Sequence, residues 1–288
     1  MCLIWGIPYL LIKVAVRDFS PGTLVFFRTG IGALLLLPIA AARRELRPIL
    51  SRWRPLVAYT GVELAIPWLL LSKAEQRLPS SLTGLLVAAV PMVGALIAWS
   101  LGDRDPLGVR GYAGLLIGLA GVAALVGFDV SGASSGSVGL VAIVVLCYAT
   151  GPLILSRTLS DLPPLGVVSA SLGLCALGYA AFGLTHLPAT APPARVLAAV
   201  VVLGVVCTAL AFILFFHLIA EIGPVRATVI TYVNPAVAVV LGVAFLGESF
   251  GFATAVGFVL ILLGSFLATT PAAARAVLRR QPAPIAEP

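Results

Sequence analysis

The sequence predicts an all-α integral membrane protein in which ten transmembrane helices form two inverted five-helix repeats. The first observation is composition: of 288 residues, 60% are hydrophobic and 10% charged, with a mean hydropathy of +1.13, whereas soluble domains carry roughly 25% charged residues. The second is that apolar stretches long enough to cross a bilayer recur along the chain. The third is that the second half of the sequence repeats the pattern of the first. Composition alone excludes a water-soluble monomer.

The ten spans follow from the thickness of the bilayer. A hydrocarbon core of ~30 Å needs about 20 helical residues, and charged, proline-containing or polar clusters interrupt the apolar sequence at that spacing. The predicted spans are 1–16, 22–42, 54–73, 80–101, 108–127, 138–157, 165–184, 196–218, 224–246 and 251–269. Residues 271–288 have too little apolar surface to fold, so we expect a disordered cytoplasmic tail.

Orientation follows from the arginines and lysines of the short connections, because cytoplasmic loops retain these residues. With the N-terminus in the cytoplasm, twelve of them lie on the cytoplasmic side and four on the other. The twelve are Arg43, Arg44, Arg47, Arg52, Arg54, Arg104, Arg110, Arg157, Arg226, Arg275, Arg279 and Arg280, and the four are Arg17, Lys73, Arg77 and Arg195. An even number of spans then places both termini in the cytoplasm. The net charge of +7 is explained by lipid headgroups rather than nucleic acid, since no basic stripe is interleaved with aromatic residues.

The internal repeat appears when the chain is shifted by 144 residues. The offset aligns residues 78–91 with 222–235 and pairs Pro8 with Pro152, Lys13 with Arg157, and Pro91 with Pro235. After a one-residue shift, Gly102-Asp103 pairs with Gly247-Glu248, and Gly114 and Gly121 pair with Gly257 and Gly264. We therefore predict a first five-helix repeat at 1–127, a linker at 128–137 and a second five-helix repeat at 138–270. An odd number of spans per repeat inverts the second copy in the membrane, an arrangement typical of secondary transporters.

Several local motifs stand out within this repeat. They are Trp5-Gly6-Ile7-Pro8-Tyr9 with Lys13, the mid-span Pro91 and Pro235, Gly247-Glu248 at the end of a span, and Gly257 and Gly264 in the last span. Together they resemble the EamA family of the drug/metabolite transporter superfamily over nearly the whole chain. The resemblance implies a bacterial inner-membrane metabolite transporter whose central cavity is lined by spans one, three, four, six, eight and nine. The first repeat departs from the family pattern in carrying Asp103 where the second has Glu248.

An aromatic and polar stripe marks the first span as a candidate part of the substrate site. Trp5, Tyr9 and Lys13 are spaced four residues apart and therefore fall on one face of a helix. Tyr148 lies at the corresponding place of the sixth span. We predict that both repeats present these faces to a shared cavity. The alternative is the aromatic belt that membrane helices form at the interface with water.

Two prolines lie near the middle of apolar spans. Pro91 and Pro235 each remove an intrahelical hydrogen bond and are predicted to kink spans four and nine. A freed carbonyl is tolerated in a membrane where it faces protein or a water-filled cavity, so the kinked faces are predicted to lie at the centre. Thr231 and Asn234 share that neighbourhood and are predicted to contact substrate. The alternative is a structural kink in which Asn234 bonds a neighbouring helix.

Three charged residues lie deep inside predicted spans, where a charge costs roughly 2.5–3.5 kcal/mol on insertion scales. Arg28 lies near the outer end of span two, so we expect its long side chain to reach the headgroups. Glu63 lies about eight residues from the inner end of span three, too deep for a short side chain to reach water. We predict that Glu63 is the carboxylate that exchanges protons during transport. Lys13 is predicted to be its nearest cationic partner.

These observations favour a secondary transporter that exports small organic metabolites, amino-acid-like or drug-like, and draws on the proton gradient. Two alternatives are an intramembrane enzyme and a membrane scaffold without transport. No cofactor and no metal are expected, because there is no Walker-type loop and the four cysteines have unsuitable spacings. The motif Gly114-Leu115-Leu116-Ile117-Gly118 permits close helix approach, either within the bundle or in a homodimer.

Overall fold

The computed structural model describes residues 1–101, 108–129, 135–222 and 230–269, apart from the side chains of 108, 125–129, 222, 230–232, 253, 268 and 269. Every regular element in this part of the chain is helical. Six helices are long and apolar enough to cross a membrane, and four shorter apolar helices accompany them. The prediction of an all-α membrane protein is therefore confirmed. The predicted tail and residues 130–134 of the predicted linker lie outside the described residues.

The helices follow the predicted spans, and the span numbers are kept for them. Span one is Cys2–Ala15, span two Pro21–Ala42, span three Trp53–Tyr59, Thr60–Ala65 and Ile66–Glu75, span four Ser80–Val87 and Val90–Ser100, span five Gly108–Asp129, span six Ser135–Thr158, span seven Pro164–Thr185, span eight Ala194–Gly204, Val205–Leu210 and Ala211–Ile222, span nine Ile230–Leu246, and span ten Phe252–Thr269. The predicted start of span nine, at 224, lies outside the described residues.

The bundle has two faces, which we name after residues in their connections. The Arg17 face contains the connection 16–20, and the ends of spans one, three and nine meet the start of span four there. The Arg44 face contains the connection 43–47. On that face Arg52 donates to the carbonyl oxygen of Thr158 and forms an ion pair of 3.1 Å with Asp161.

Six spans form the centre of the bundle. Span one packs against spans eight and nine, span six packs in the same way against spans three and four, and spans four and nine pack against each other. Spans two and seven form one peripheral pair, and spans five and ten form the other. Each of these pairings joins a span of the first repeat to a span of the second. The apolar faces of each repeat are therefore covered largely by the other repeat.

Glycines bring spans five and ten into close contact. A Cβ atom on Gly121 would lie 2.8 Å from the carbonyl oxygen of Gly257, and one on Gly264 would overlap the backbone of Gly118. Only glycine permits this approach. The small-residue motif of span five is therefore used inside the bundle, where Gly121 meets Gly257 and Gly264 meets Gly118.

Spans three and eight each contain a π-helical turn at an equivalent place. The turns are Thr60–Ala65 and Val205–Leu210, which are offset by 145 residues. A π-helical turn is wider than an α-helical turn and is frequent at functional sites. The sequence pattern did not predict these turns.

The two mid-span prolines have different effects on their helices. Span four ends its first segment at Val87, and Ala88 and Ala89 form tight i→i−3 hydrogen bonds before the helix resumes at Val90 with Pro91 in its first turn. Ser265 of span ten donates to the carbonyl oxygen of Ala88 over 3.0 Å. Pro235, in contrast, lies inside the continuous helix of span nine. The proline of the first repeat thus coincides with a helix break, whereas its counterpart does not.

Candidate functional site

A column of polar and aromatic side chains runs between the six central spans from the Arg17 face toward the Arg44 face. We call it the central column, and we define it by nine residues from spans one, two, three, six and eight. They are Lys13, Glu75, Tyr9, Arg28, Trp68, Tyr148, Thr208, Trp5 and Glu63. It contains five of the seven substrate-contacting residues predicted from the sequence.

Lys13 lies at the Arg17 end of the column. Its Nζ atom donates to the carbonyl oxygens of Glu75 at 2.6 Å and Leu78 at 2.8 Å. Both carbonyls belong to the C-terminal end of span three and the turn after it, where helix carbonyls have no intrahelical partner. A lysine is well placed there because the C-terminal end of a helix attracts positive charge.

The predicted pairing of Lys13 with Glu63 is wrong. The partners of Lys13 are at residues 75 and 78, and Glu63 lies twelve residues before Glu75 in the same span, a rise of about 18 Å. The prediction compared the distances of the two residues from the inner ends of spans one and three. Such distances do not determine which residues of two helices lie at the same height.

Glu75 is the most deeply buried acidic residue of the column. Its side chain is 0% exposed, and neither carboxylate oxygen has a hydrogen-bond partner. Lys13, Glu248 and Arg28 lie within electrostatic range of the carboxylate. Glu75 is absent from the residues predicted from the sequence, because the predicted span three ends at 73 and leaves Glu75 in the polar connection that follows. Trp68, Ser72 and Glu75 are spaced as residues on one face of a helix. This spacing is the signal in the sequence that span three continues to Glu75.

Glu248 closes the Arg17 face by capping span four. Its Oε1 and Oε2 atoms accept hydrogen bonds from the backbone N–H groups of Ser80 at 2.6 Å and Ser81 at 2.9 Å. A carboxylate is favourable at the N-terminal end of a helix, where N–H groups lack partners. Gly247, with φ +66°, ends span nine and turns the chain back, and Gly242 leaves the space that the carboxylate fills. This contact ties span nine of the second repeat to span four of the first.

Arg28 lies in the middle of the column and does not reach the headgroups, which corrects the prediction. It is 7% exposed, its guanidinium carbon lies 3.7 Å from the centre of the Trp68 ring, and its Nε atom donates to Oγ1 of Thr208 over 3.0 Å. Span two is covered by span eight on this side, and Gly32 and Gly204 permit the close approach. The side chain therefore lies inside the bundle, where Trp68 and Thr208 replace water.

Two tyrosines accompany Arg28. Tyr9 of span one is buried against span four, close to Gly84, and lies within electrostatic range of Tyr148, Glu75 and Arg28. Tyr148 of span six is partly buried and lies within electrostatic range of Arg28 and Glu63. Tyr9 and Tyr148 thus approach each other from the two repeats, and a substrate cavity shared by spans one and six stays a prediction.

Glu63 and Trp5 lie on the side of the column toward the Arg44 face. Glu63 is part of the π-helical turn of span three, and its buried Oε2 atom has no hydrogen-bond partner. Gly151 of span six makes room for this carboxylate, since a Cβ atom there would overlap Oε2. Trp5 packs against Phe212 and Phe215 of span eight, with ring centres 5.9 and 4.7 Å away.

The remaining predicted residues lie in span nine. The side chain of Thr231 lies outside the described residues. Asn234 is partly buried, and its backbone carbonyl oxygen lies 3.0 Å from the position that a Cβ atom on Gly6 would take. Pro235 is buried one residue further on. Span nine thus approaches span one closely at Gly6, next to the stripe that contains Trp5 and Tyr9.

A separate cavity of about 330 Å³ opens at the Arg44 face between spans two, seven and eight. Arg43, Glu45 and His217 are its polar lining residues, and Oε2 of Glu45 is buried without a hydrogen-bond partner. Among the described residues, no group of three histidine, cysteine or acidic side chains converges in a way that would hold a metal ion.

The sequence is similar to those of known membrane transporters. The model of the EamA-like transporter family matches residues 1–127 and 136–270. YedA of Escherichia coli K12, described as an uncharacterised inner membrane transporter, is 30% identical over 260 residues, which cover 86% of this chain and 81% of that protein. A probable terminal-alkyne amino-acid exporter of Streptantibioticus cattleyicolor is 28% identical over 249 residues, covering 85% of this chain and 82% of the exporter.

Two further similarities are more distant. The uncharacterised transporter YvbV of Bacillus subtilis is 23% identical over 278 residues, covering 96% of this chain and 91% of that protein. One solved crystal structure superposes with a TM-score of 0.67 at 23% identity, covering 93% of this chain and 94% of the other. That likeness concerns the fold. Because the family model matches both halves of the sequence and its relatives are membrane transporters, the chain belongs to the EamA-like transporter family.

Proposed function

We propose that the protein exports small organic metabolites, amino-acid-like or drug-like, across the bacterial inner membrane as a secondary transporter. The observation that carries the proposal is the central column, where buried charged groups lie between spans of both repeats. Charged residues inside a membrane bundle are costly and mark substrate or ion pathways. The relative named as a probable amino-acid exporter supports both the direction and the type of substrate.

The proposed mechanism is alternating access of the two inverted repeats. On the Arg17 face, Glu248 caps span four and Lys13 holds the end of span three. These contacts close the column on that side. Opening it requires the Glu248 carboxylate to leave the N–H groups of Ser80 and Ser81, so that spans four and nine separate. Because these two spans are repeat counterparts, their separation moves one repeat against the other.

Proton exchange at Glu63 is the proposed energy source. Its Oε2 atom is buried without a donor, and an ionised carboxylate in such a place is costly unless it is paired. A change of protonation at Glu63 therefore changes the stability of the packing between spans three and six. Coupling of that packing to substrate movement is what a proton-driven cycle requires.

Both termini are proposed to lie in the cytoplasm, so that the Arg17 face is periplasmic. The test is cysteine labelling in intact cells, in a variant without Cys2, Cys147, Cys175 and Cys207. A cysteine at Gly136 should react with a membrane-impermeant maleimide, whereas one at the exposed Arg47 should react only after the cells are lysed. The opposite labelling pattern would reverse the orientation.

The transport proposal is tested with purified protein in liposomes loaded with a bacterial metabolite extract. Mass spectrometry of the external solution should detect selected solutes leaving these liposomes faster than they leave protein-free liposomes. Solutes that leave with a changed mass would indicate an intramembrane enzyme instead. Equal leakage from both preparations would indicate a scaffold without transport.

A further inference from the structure

The central column holds two buried ionisable groups, one basic and one acidic, that are not paired with each other. Arg28 is 7% exposed and Glu75 is 0% exposed. They lie within electrostatic range, yet they are not within the 4.0 Å of an ion pair, since the ion pair formed among the described residues is that of Arg52 with Asp161. Isolated buried charges are strongly unfavourable. A partner for each is therefore to be expected when the site is occupied.

The guanidinium of Arg28 has free donors. Trp68 covers its face and Thr208 accepts from Nε, while Nη1 and Nη2 have no partner in the described part of the chain. These two nitrogen atoms form the fork that binds a carboxylate through two parallel hydrogen bonds. The arginine is thus held in place by Trp68 and Thr208, and Nη1 and Nη2 remain for a ligand.

The carboxylate of Glu75 is the complementary group. Both oxygens are buried and accept no hydrogen bond. The adjacent Lys13 does not neutralise it by direct contact, because the Nζ atom of Lys13 donates to backbone carbonyls. An ammonium group of a ligand would satisfy both oxygens through charge-assisted hydrogen bonds.

The helix geometry places both charges along one line. Trp68, which supports Arg28, and Glu75 are seven residues apart in span three, which is two turns along one face and a rise of about 10 Å. Tyr9 lies within electrostatic range of both charges. The two groups therefore lie at different heights of the same column.

We propose that Arg28 and Glu75 together form a binding site for zwitterions, with Arg28 holding the carboxylate of an α-amino acid and Glu75 its ammonium group. The proposal rests on the proposed transport function and specifies its substrate class. Neither residue was assigned a role in substrate binding by the sequence. A solute with one charge leaves one of the two buried groups unpaired, so both charges are needed for tight binding.

The test compares three solute mixtures in proteoliposomes. The first contains the twenty proteinogenic amino acids, the second their decarboxylated amines, and the third their deaminated acids. The wild-type protein should transport members of the first mixture at least ~10-fold faster than their single-charge analogues, because one charge-assisted hydrogen bond contributes roughly 1.5–3 kcal/mol. Similar rates for an amino acid and its amine or acid would overturn the proposal.

Two variants test which residue binds which charged group of the amino acid. Glu75→Gln should remove the preference for amino acids over deaminated acids, and Arg28→Gln should remove the preference over amines. Exposed residues supply matched controls: Glu221→Gln and Arg77→Gln should keep both preferences. Preference is a ratio within one preparation, so it does not depend on how much of a variant folds. Thermal unfolding in detergent identifies any variant that does not fold. Glu75→Asp then replaces Glu75→Gln, and Arg28→Lys replaces Arg28→Gln. The same ratios of transport rates are expected to fall in these replacements. Unchanged ratios in folded variants would refute the assignment.

The metabolite-extract experiment separates this proposal from the transport function itself. Movement of extract solutes that are all singly charged or neutral would overturn the zwitterion site and leave the transport function standing. Movement of no solute would refute the transport function, and the zwitterion site with it.

Discussion

The two π-helical turns occupy equivalent places in the two repeats but differ in how their polar groups are satisfied. In the turn Val205–Leu210, Oγ1 of Thr208 donates to the carbonyl oxygen of Leu203 over 2.8 Å and accepts from Arg28. In the turn Thr60–Ala65, Oγ1 of Thr60 and Oε2 of Glu63 are buried and have no partner. Thr208 in the second turn is thus fully hydrogen-bonded, whereas the first turn contains two buried polar side-chain atoms without a hydrogen-bond partner.

Each turn is also bonded by a side chain of the opposite repeat. Arg28 of span two reaches the turn of span eight, while the hydroxyl of Tyr179 in span seven donates to the carbonyl oxygen of Ala65 over 3.0 Å. Spans two and seven are repeat counterparts and pack against each other. In both repeats, therefore, a side chain of the opposite repeat is hydrogen-bonded to the π-helical turn. The two turns differ in that Glu63 of the first occupies the place of Thr208 in the second. This difference indicates a role in proton exchange for the first turn and a structural role for the second.

The largest expected difference is in transport. Glu63→Gln removes the titratable group of the first turn, so flux should fall ~100-fold or more, the order of effect of losing one proton-transfer group. The response of flux to pH should flatten. Thr208→Val should lower flux less and leave the pH response in place. Proteoliposome flux measured across a pH range checks this. An unchanged pH response in Glu63→Gln would refute proton coupling through this residue.

The next largest effect is on stability, where Thr208→Val is expected to have the larger effect and Glu63→Gln the smaller one. Thr208→Val removes the acceptor of the buried Arg28 and should destabilise the protein by ~1–3 kcal/mol, the cost of an unsatisfied buried group. Glu63→Gln should destabilise it less, because Oε2 has no hydrogen bond to lose. Thermal unfolding in detergent is the measurement. Thr185→Val is the matched control, because Thr185 is exposed near the end of span seven; if it costs as much as Thr208→Val, the buried contact with Arg28 is not the cause.

Gly151 tests whether the first turn needs its space. Gly151→Ala places a methyl group on Oε2 of Glu63 and should destabilise the protein by ~1–3 kcal/mol through overpacking. Gly139→Ala, in the same helix but in open space, should not destabilise it. In the double variant Glu63→Ala with Gly151→Ala, the loss should be smaller than the sum of the two single losses. Strict additivity would show that the two side chains do not compete for the space.

The smallest effects concern the prolines of spans four and nine. Pro91→Ala and Pro235→Ala each restore a backbone N–H donor, and both should lower flux more than they lower the yield of folded protein. Pro91→Ala should have the larger effect, because it allows the two segments of span four to join, whereas Pro235 already lies in a continuous helix. Flux per folded molecule is the readout. Wild-type flux in both variants would remove the prolines from the mechanism.

The sequence alone determined the fold class, the span positions and the repeat. Spans are set by the length of apolar sequence needed to cross a bilayer, which is a one-dimensional property. For that reason the observed helices begin and end within about four residues of the predicted ones wherever the chain is described. The stripe of Trp5, Tyr9 and Lys13 also followed from helical spacing alone.

The tertiary structure alone decided which of these residues are partners. Depth counted along separate spans placed Lys13 beside Glu63 and Arg28 among the headgroups, and both predictions were wrong. Partners in this bundle depend on the relative height and rotation of the packed helices. Residues 60 or more positions apart meet within one repeat, as Lys13 and Glu75 do, and between repeats, as Arg28 and Thr208 do. The π-helical turns and the close approach of spans five and ten at their glycines likewise became visible only in the folded bundle. Sequence spacing within a single helix contains no information about that packing.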